Sequence, residues 1–178
     1  MRSVNSPTNQ DFHGLVEHFL ALPSRDRIAI FGELLCAADI CTYVESMLCA
    51  PQNTLVVHDP APDLAGVMHL VFRANYSVLS LSVASWARRQ GIGSLLLRRA
   101  VQLAQLREAN ILYVRNLGNP GFRRLVQRMG IPVAWGSDAR SAQLELPSDK
   151  QDRPRNPHYD DGTSQDEHLL PQLDEVCD

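Results

Sequence analysis

From Leu64 to Arg107 the chain carries no carboxylate at all. That gap is the most unusual thing the sequence lacks. Other absences narrow the possibilities further. No apolar run approaches the ~20 residues that a membrane span needs. The first ten residues, Met1 to Gln10, are polar, with one Arg and no apolar stretch. This argues against a secretory signal and for a cytoplasmic protein with no membrane partner. Cysteines number four, at positions 36, 41, 49 and 177. Their spacing fits no zinc motif, and no His/Cys/carboxylate cluster suggests a metal. Cys36, Cys41 and Cys49 fall in one predicted helical region and are expected to be reduced, buried thiols acting as small hydrophobes. His13 and His18 sit five apart on one predicted helix, a poor spacing for a metal, and are expected to serve surface or packing roles.

What the chain does have is a sharply divided charge. Residues 1–63 hold eight acids and three bases, residues 64–135 hold ten Arg and one acid (Glu108), and residues 136–178 hold eleven acids and four bases. The overall charge of −3 hides a central segment of +9. Such a segment points to an anionic partner. Nucleic acid is the weaker candidate, because aromatics make up only 6% and the Arg residues lie on separate elements.

Periodicity divides the 178 residues into an opening helical region (11–50), a core (54–146) and a tail, with residues 1–147 read as one domain. Phe12, Leu15, Val16, Phe19 and Leu20 form one face of a helix, with Asp11 as N-cap and Pro23 after its end. Ser24 is placed to cap a second helix carrying Ile28 and Phe31. Ile40, Tyr43, Val44, Met47 and Leu48 mark a third, ended by Pro51. Strands follow at Thr54–Val57 and Leu64–Phe72, joined by the turn chemistry of Asp59-Pro60-Ala61-Pro62-Asp63. Ser77–Val83 alternates polar and apolar residues strictly, as a strand does. A helix over Gly91–Arg107, a strand over Ile111–Val114, a helix over Pro120–Met129 and two strands over Ile131–Trp135 and Ala142–Leu146 complete the core. After Pro147 the composition turns to Asp, Gln, Pro and Ser, the mark of an acidic, disordered tail. The predicted class is α/β (α+β), with helices flanking a central mixed sheet.

The turn Arg88-Arg89-Gln90-Gly91-Ile92-Gly93 joins the alternating strand to the long helix. A helix N-terminus exposes unpaired N–H groups and the positive end of the macrodipole. An isolated helix favours acids there. This one has two Arg before its start and no acid in its first turns, an arrangement suited to a bound anion. Its glycines let the backbone turn tightly and approach a ligand closely. The turn is not a P-loop, having no Gly-Lys-Ser/Thr, and it lacks the three-glycine dinucleotide fingerprint.

Arg88-x-x-Gly91-x-Gly93, between a strand and a long helix, resembles the acyl-CoA signature of the GNAT superfamily. Asn119 with the helix that ends at Gly130-Ile131 resembles a further family feature. His18-Phe19-Leu20 and Asp26-Arg27 in the opening helices are similar to bacterial members. The resemblance covers roughly residues 54–146. It implies a GNAT fold with a mostly antiparallel, twisted sheet, and transfer of an acetyl group from acetyl-CoA to an amine by direct attack in a ternary complex. It further implies that N–H groups from Arg89 to Ser94 (Arg89, Gln90, Gly91, Ile92, Gly93, Ser94) hold the pyrophosphate, with charge from Arg88 or Arg89. Leu81, Ser82 and Val83 would pair with the pantetheine arm, an N–H near Val83 would serve the oxyanion, and Asn119 would contact the arm or brace the strands. Arg98, Arg99 and Arg107 read as a solvated helix face, with the 3′-phosphate of CoA as the other role considered.

The family's usual proton-transfer groups are missing. Val126 stands where many members have Tyr, and Ser77–Val83 has no carboxylate. His69 and Tyr113 are the weak substitutes, each set against a plain structural role, and a water chain is a third option. A fold that binds acyl-CoA without turnover is therefore the second reading. The acceptor is a small molecule or a protein amine, and a homodimer is compatible with the sequence.

Overall fold

A computed structural model of the chain describes residues 3–59, 63–74, 76–109, 111–114, 120–135 and 142–146. The helices are α1 (Phe12–Leu20), α2 (Ser24–Phe31), α3 (Ala37–Cys49), α4 (Ile92–Leu106) and α5 (Pro120–Arg128). The strands are β1 (Ser3–Asn5), β2 (Thr54–His58), β3 (Leu64–Phe72), β4 (Ser77–Val83), β5 (Ile111–Val114), β6 (Val133–Trp135) and β7 (Ala142–Glu145). They form one seven-stranded sheet in the order β1-β2-β3-β4-β5-β7-β6. All neighbours are antiparallel except β4 and β5. This is the mixed, mostly antiparallel sheet expected. β1 was not: its three residues have no apolar pattern, and their extended state depends on pairing with β2 (Val4 opposite Val57).

Two apolar layers cover the sheet. On one face α4 and α5 bury Ile92, Leu96, Leu97, Ala100, Phe122, Leu125 and Val126 against Met68, Leu70, Leu79, Leu81, Leu112 and Leu144. On the other, α1, α2 and α3 bury Leu15, Phe19, Ile30, Phe31, Ile40, Val44 and Met47 against Val56, Leu64 and Val67. β3 lies under both, so its first seven residues are all buried. Where α4 crosses it, the residue is Gly66. A Cβ there would stand 2.8 Å from Ile92 Cγ2 and 3.2 Å from the Ser82 carbonyl. Glycine is what lets the helix and sheet approach so closely.

Several local expectations need correction. Asp11 does not cap α1 through its side chain; its carboxylate accepts from the Thr8 N–H (2.7 Å) and hydroxyl (3.0 Å), closing the preceding 3-10 turn. Ser24 is the first residue of α2 rather than its cap, which falls on Pro23. The cysteines are not core residues: Cys36 and Cys49 are exposed and Cys41 is half-buried. The inner stripe of α3 runs through Ile40, Val44 and Met47. Cys36 and Cys49 sit at the helix ends, off that stripe. In α1, His18 takes an inward place while Leu20 stays 39% exposed. Asn119 and the tail from 148 onward lie outside the described residues.

Candidate functional site

Among the described residues the parallel ladder between β4 and β5 runs from Ser77 opposite Leu112 to Leu79 opposite Val114. β4 continues to Val83, still paired on its other side with β3 through Gly66. This is the stretch that the sequence singled out, Leu81 to Val83, and it lines a cleft. The Ala84 N–H donates to the Ala65 carbonyl (3.0 Å). Backbone groups alternate sides along a strand, so the Val83 N–H faces away from β3.

β4 leads through a 3-10 turn, Ser85–Ala87, into the glycine turn and α4. Arg89 has φ 62° and Gly91 φ 85°. These left-handed residues turn the backbone from the end of β4 into the start of α4. Gly91 is the N-cap, no side chain caps this end, and no acid lies in its first turn. The first intrahelical bond is from Leu95 to Gly91 (3.0 Å). The N–H groups of Ile92, Gly93 and Ser94 thus have no acceptor within the helix. A Cβ on Gly91 would meet nothing within 4 Å, whereas one on Gly93 would stand 3.4 Å from Leu125. The first glycine serves the backbone conformation and the second the close passage of α5.

A cleft of about 390 Å³ opens here. Leu81, Ser82, Val83, Arg88, Arg89, Gly91, Gly93 and Ser94 line it, so β4 and the turn meet in one place as expected. Two groups that the sequence reading missed join them. Arg124 and Arg128 line the cleft from α5, and the i, i+4 spacing puts both on one side of that helix. Their spacing was a readable signal; which side of α5 faced the turn was not. Asp26 also lines the cleft, from α2.

Arg88 lines the cleft and is at the same time held by the protein. Its Nη2 donates to Asp26 Oδ2 at 2.6 Å, and its Nε donates to the Val83 carbonyl at 3.1 Å. Asp26 is nearly buried, with 7% of its side chain exposed. Arg88 therefore neutralises this carboxylate and ties α2 to the end of β4. Charge for an anion in the cleft falls to Arg89, Arg124 and Arg128. Arg98 and Arg99 are exposed on α4 and bond within that helix, to the Ser94 carbonyl and Gln102. The Arg107 guanidinium lies 5.0 Å from the Phe72 ring centre. It sits a helix length, about 22 Å, from the turn, too far for a cofactor phosphate held there.

The two weak proton-transfer candidates lie away from the cleft lining. His69 Nδ1 is 2.8 Å from Thr54 Oγ1, and its ring meets Tyr43 edge-on. Burial pushes it down to about 4. Tyr113 receives a hydrogen bond from Gln143 Nε2 (3.0 Å) and stacks edge-on with Tyr76. Its partner on β4 is Val78. Val126 is buried in the α4–α5 layer. His18, expected to have a surface or packing role, is instead bonded to the cleft wall. Its Nε2 is 2.8 Å from Ser82 Oγ and its Nδ1 is 3.1 Å from the Leu64 carbonyl.

An uncapped helix start and the end of β4 thus meet at one cleft, whose lining includes Arg88, Arg89, Arg124 and Arg128. The chain belongs to the acetyltransferase (GNAT) family: that family's model matches residues 34–131, more than half of its length. Solved structures share the fold. The YncA protein of Salmonella typhimurium, solved with its cofactor acetyl-CoA, aligns with a TM-score of 0.62 and 14% identity over 87% of this chain and 98% of that one. The ribosomal-protein-S18-alanine N-acetyltransferase of Escherichia coli aligns with a TM-score of 0.58 and 14% identity, covering 87% and 100%. The ribosomal-protein-alanine N-acetyltransferase of Brucella melitensis gives 0.57 and 20%, covering 80% and 96%. No curated protein sequence matches the chain. Among the described residues no helix is long and apolar enough to cross a membrane, and no group of His, Cys, Asp or Glu is placed to hold a metal.

Proposed function

We propose that the chain is an acetyl-CoA-dependent N-acetyltransferase that transfers the acetyl group to an amine within a ternary complex. The observation that supports this reading is one cleft lined both by Arg89, Gly91, Gly93 and Ser94 of the turn and by Leu81, Ser82 and Val83 of β4. The residues suit the cofactor. The N–H groups of Ile92, Gly93 and Ser94 would receive the diphosphate, with Arg89, Arg124 and Arg128 around it. The outer edge of β4 would take the amide-bearing arm as an added strand. Acetyl-CoA supplies the activated acyl group. The Val83 N–H would donate to the developing oxyanion.

Thermal unfolding with acetyl-CoA tests this. Binding to the native state alone adds about 2.7 kcal/mol at a hundredfold excess over the dissociation constant. For a chain of this size that raises Tm by roughly 5–10 °C. Gly91→Glu should abolish the gain by placing a carboxylate at the diphosphate position; an unchanged gain would reject the assignment of the turn. The absence of Tyr at Val126 and of any carboxylate on β4 favours a second reading, a module that binds acyl-CoA without turnover. Acetyl-CoA binding with no CoA release across a broad panel of amines would select it.

A further inference from the structure

The geometry points to Ser82 and His18 as the proton relay of this site: Ser82 Oγ takes the proton of the attacking amine while passing its own to His18 Nε2. This rests on the acyl-transfer reading above. It supplies the proton acceptor that the family's usual positions lack.

The hydrogen-bond roles follow by elimination. The Leu64 carbonyl can only accept, so Nδ1 of His18 carries the proton. Burial, with Arg88 nearby, keeps the ring neutral at pH 7, so Nε2 has a free lone pair. Ser82 must donate to it. With its hydrogen held by His18, Ser82 Oγ has only lone pairs left for the cleft that it lines. It is built to accept an N–H. A nucleophile-like hydroxyl, a base within hydrogen-bond reach and a third group orienting that base form a recurrent catalytic pattern.

Position agrees with this role. Ser82 directly precedes Val83, whose N–H points away from β3. Its side chain lies on the sheet face covered by α1 to α3, not on the face covered by α4 and α5. An amine arriving from the α1–α2 side would meet Ser82 beside the thioester carbonyl. As the C–N bond forms and the C–S bond breaks, the nitrogen's proton goes to Ser82 Oγ and the hydroxyl proton to His18 Nε2. The same path in reverse delivers a proton to the departing thiolate and restores both residues. Ser82 would touch the substrate, whereas His18 would act through Ser82.

The test uses the full chain, with acetyl-CoA and hydroxylamine as a small probe amine. Ser82→Ala and His18→Gln should each lower kcat for CoA release about 100-fold, with the KM for acetyl-CoA within about twofold. Ser82→Thr keeps the hydroxyl and should recover most of the loss, whereas Ser80→Ala, on the same sheet face, should stay near wild type. Nitrogen-15 NMR of His18 gives a readout independent of turnover. It should show a protonated Nδ1 and a hydrogen-bonded, unprotonated Nε2, and Ser82→Ala should shift only the Nε2 signal. Normal kcat in a folded Ser82→Ala overturns the relay. So does a protonated Nε2, an acetyl adduct on Ser82 by mass spectrometry, or wild-type protein that releases no CoA. Acetyl-CoA stabilisation by thermal shift separates these failures from failure of the cofactor site itself.

Discussion

The two layers on the sheet are built for different tasks. The α4–α5 layer meets the sheet through apolar side chains and glycines, and its polar features are backbone N–H groups and Arg heads at the cleft rim. The α1–α3 layer carries polar side chains inward: His18, Asp26 and, across from it, His69 and Thr54 are all buried. Each finds a partner in the sheet or the turn. One layer presents an uncapped helix start at the cleft. The other puts titratable groups under low-dielectric conditions, where protonation is costly.

Acid should expose that difference most strongly. Burial depresses both His18 and His69 from 6.5 to about 4. The unfolded chain therefore binds protons that the native state refuses, and stability rises with pH between those values. Lowering the pH from 7 to 4 should cost about 3 kcal/mol for each of these histidines. Urea unfolding across that range measures it. His69→Gln should flatten the pH slope by roughly one proton, and an unchanged slope would mean that the ring is not held neutral by burial.

Asp26→Asn acts where the layers meet. It leaves the Arg88 guanidinium without its counter-charge. Discounted for the one-third exposure of Arg88, the expected loss is about 2 kcal/mol. The same substitution removes a negative charge from the cleft, so acetyl-CoA should bind several-fold tighter at low salt. Weaker binding would show instead that the α2 tether is needed to hold the turn in place.

The smallest effect belongs to the rim. Arg124→Ala with Arg128→Ala should weaken acetyl-CoA binding by about 1 kcal/mol, less at high salt, and change stability by under about 0.5 kcal/mol. Calorimetry at two salt concentrations reads it. An affinity indifferent to both residues would confine the anion seat to the turn.

The extent of legibility follows the same division. The strand Ser77–Val83, the helix after Gly91 and the turn between them were readable because period-two alternation, helical spacing and glycine act over a few residues. β1 was not readable, since an edge strand of three residues with a single apolar one, Val4, takes its conformation from β2. The cysteines of α3 were misread because burial of a given thiol depends on its angle around the helix, and three residues off the stripe look no different in composition from three on it. The signature pointed to Arg88 or Arg89 for the ligand's charge, but it could not show that Arg88 pairs with Asp26, 62 residues away.

Sequence alone therefore determined an uncapped helix start after a glycine turn, the order of elements that makes the sheet, and a central segment poor in acids. Those are properties of the backbone and of local composition. The tertiary structure decided which Arg stays available, that Arg124 and Arg128 face the cleft, and that His18 meets Ser82 across 64 residues of chain. Such pairings are fixed by which faces the sheet and its two helical layers bury, and short-range patterns carry no record of them.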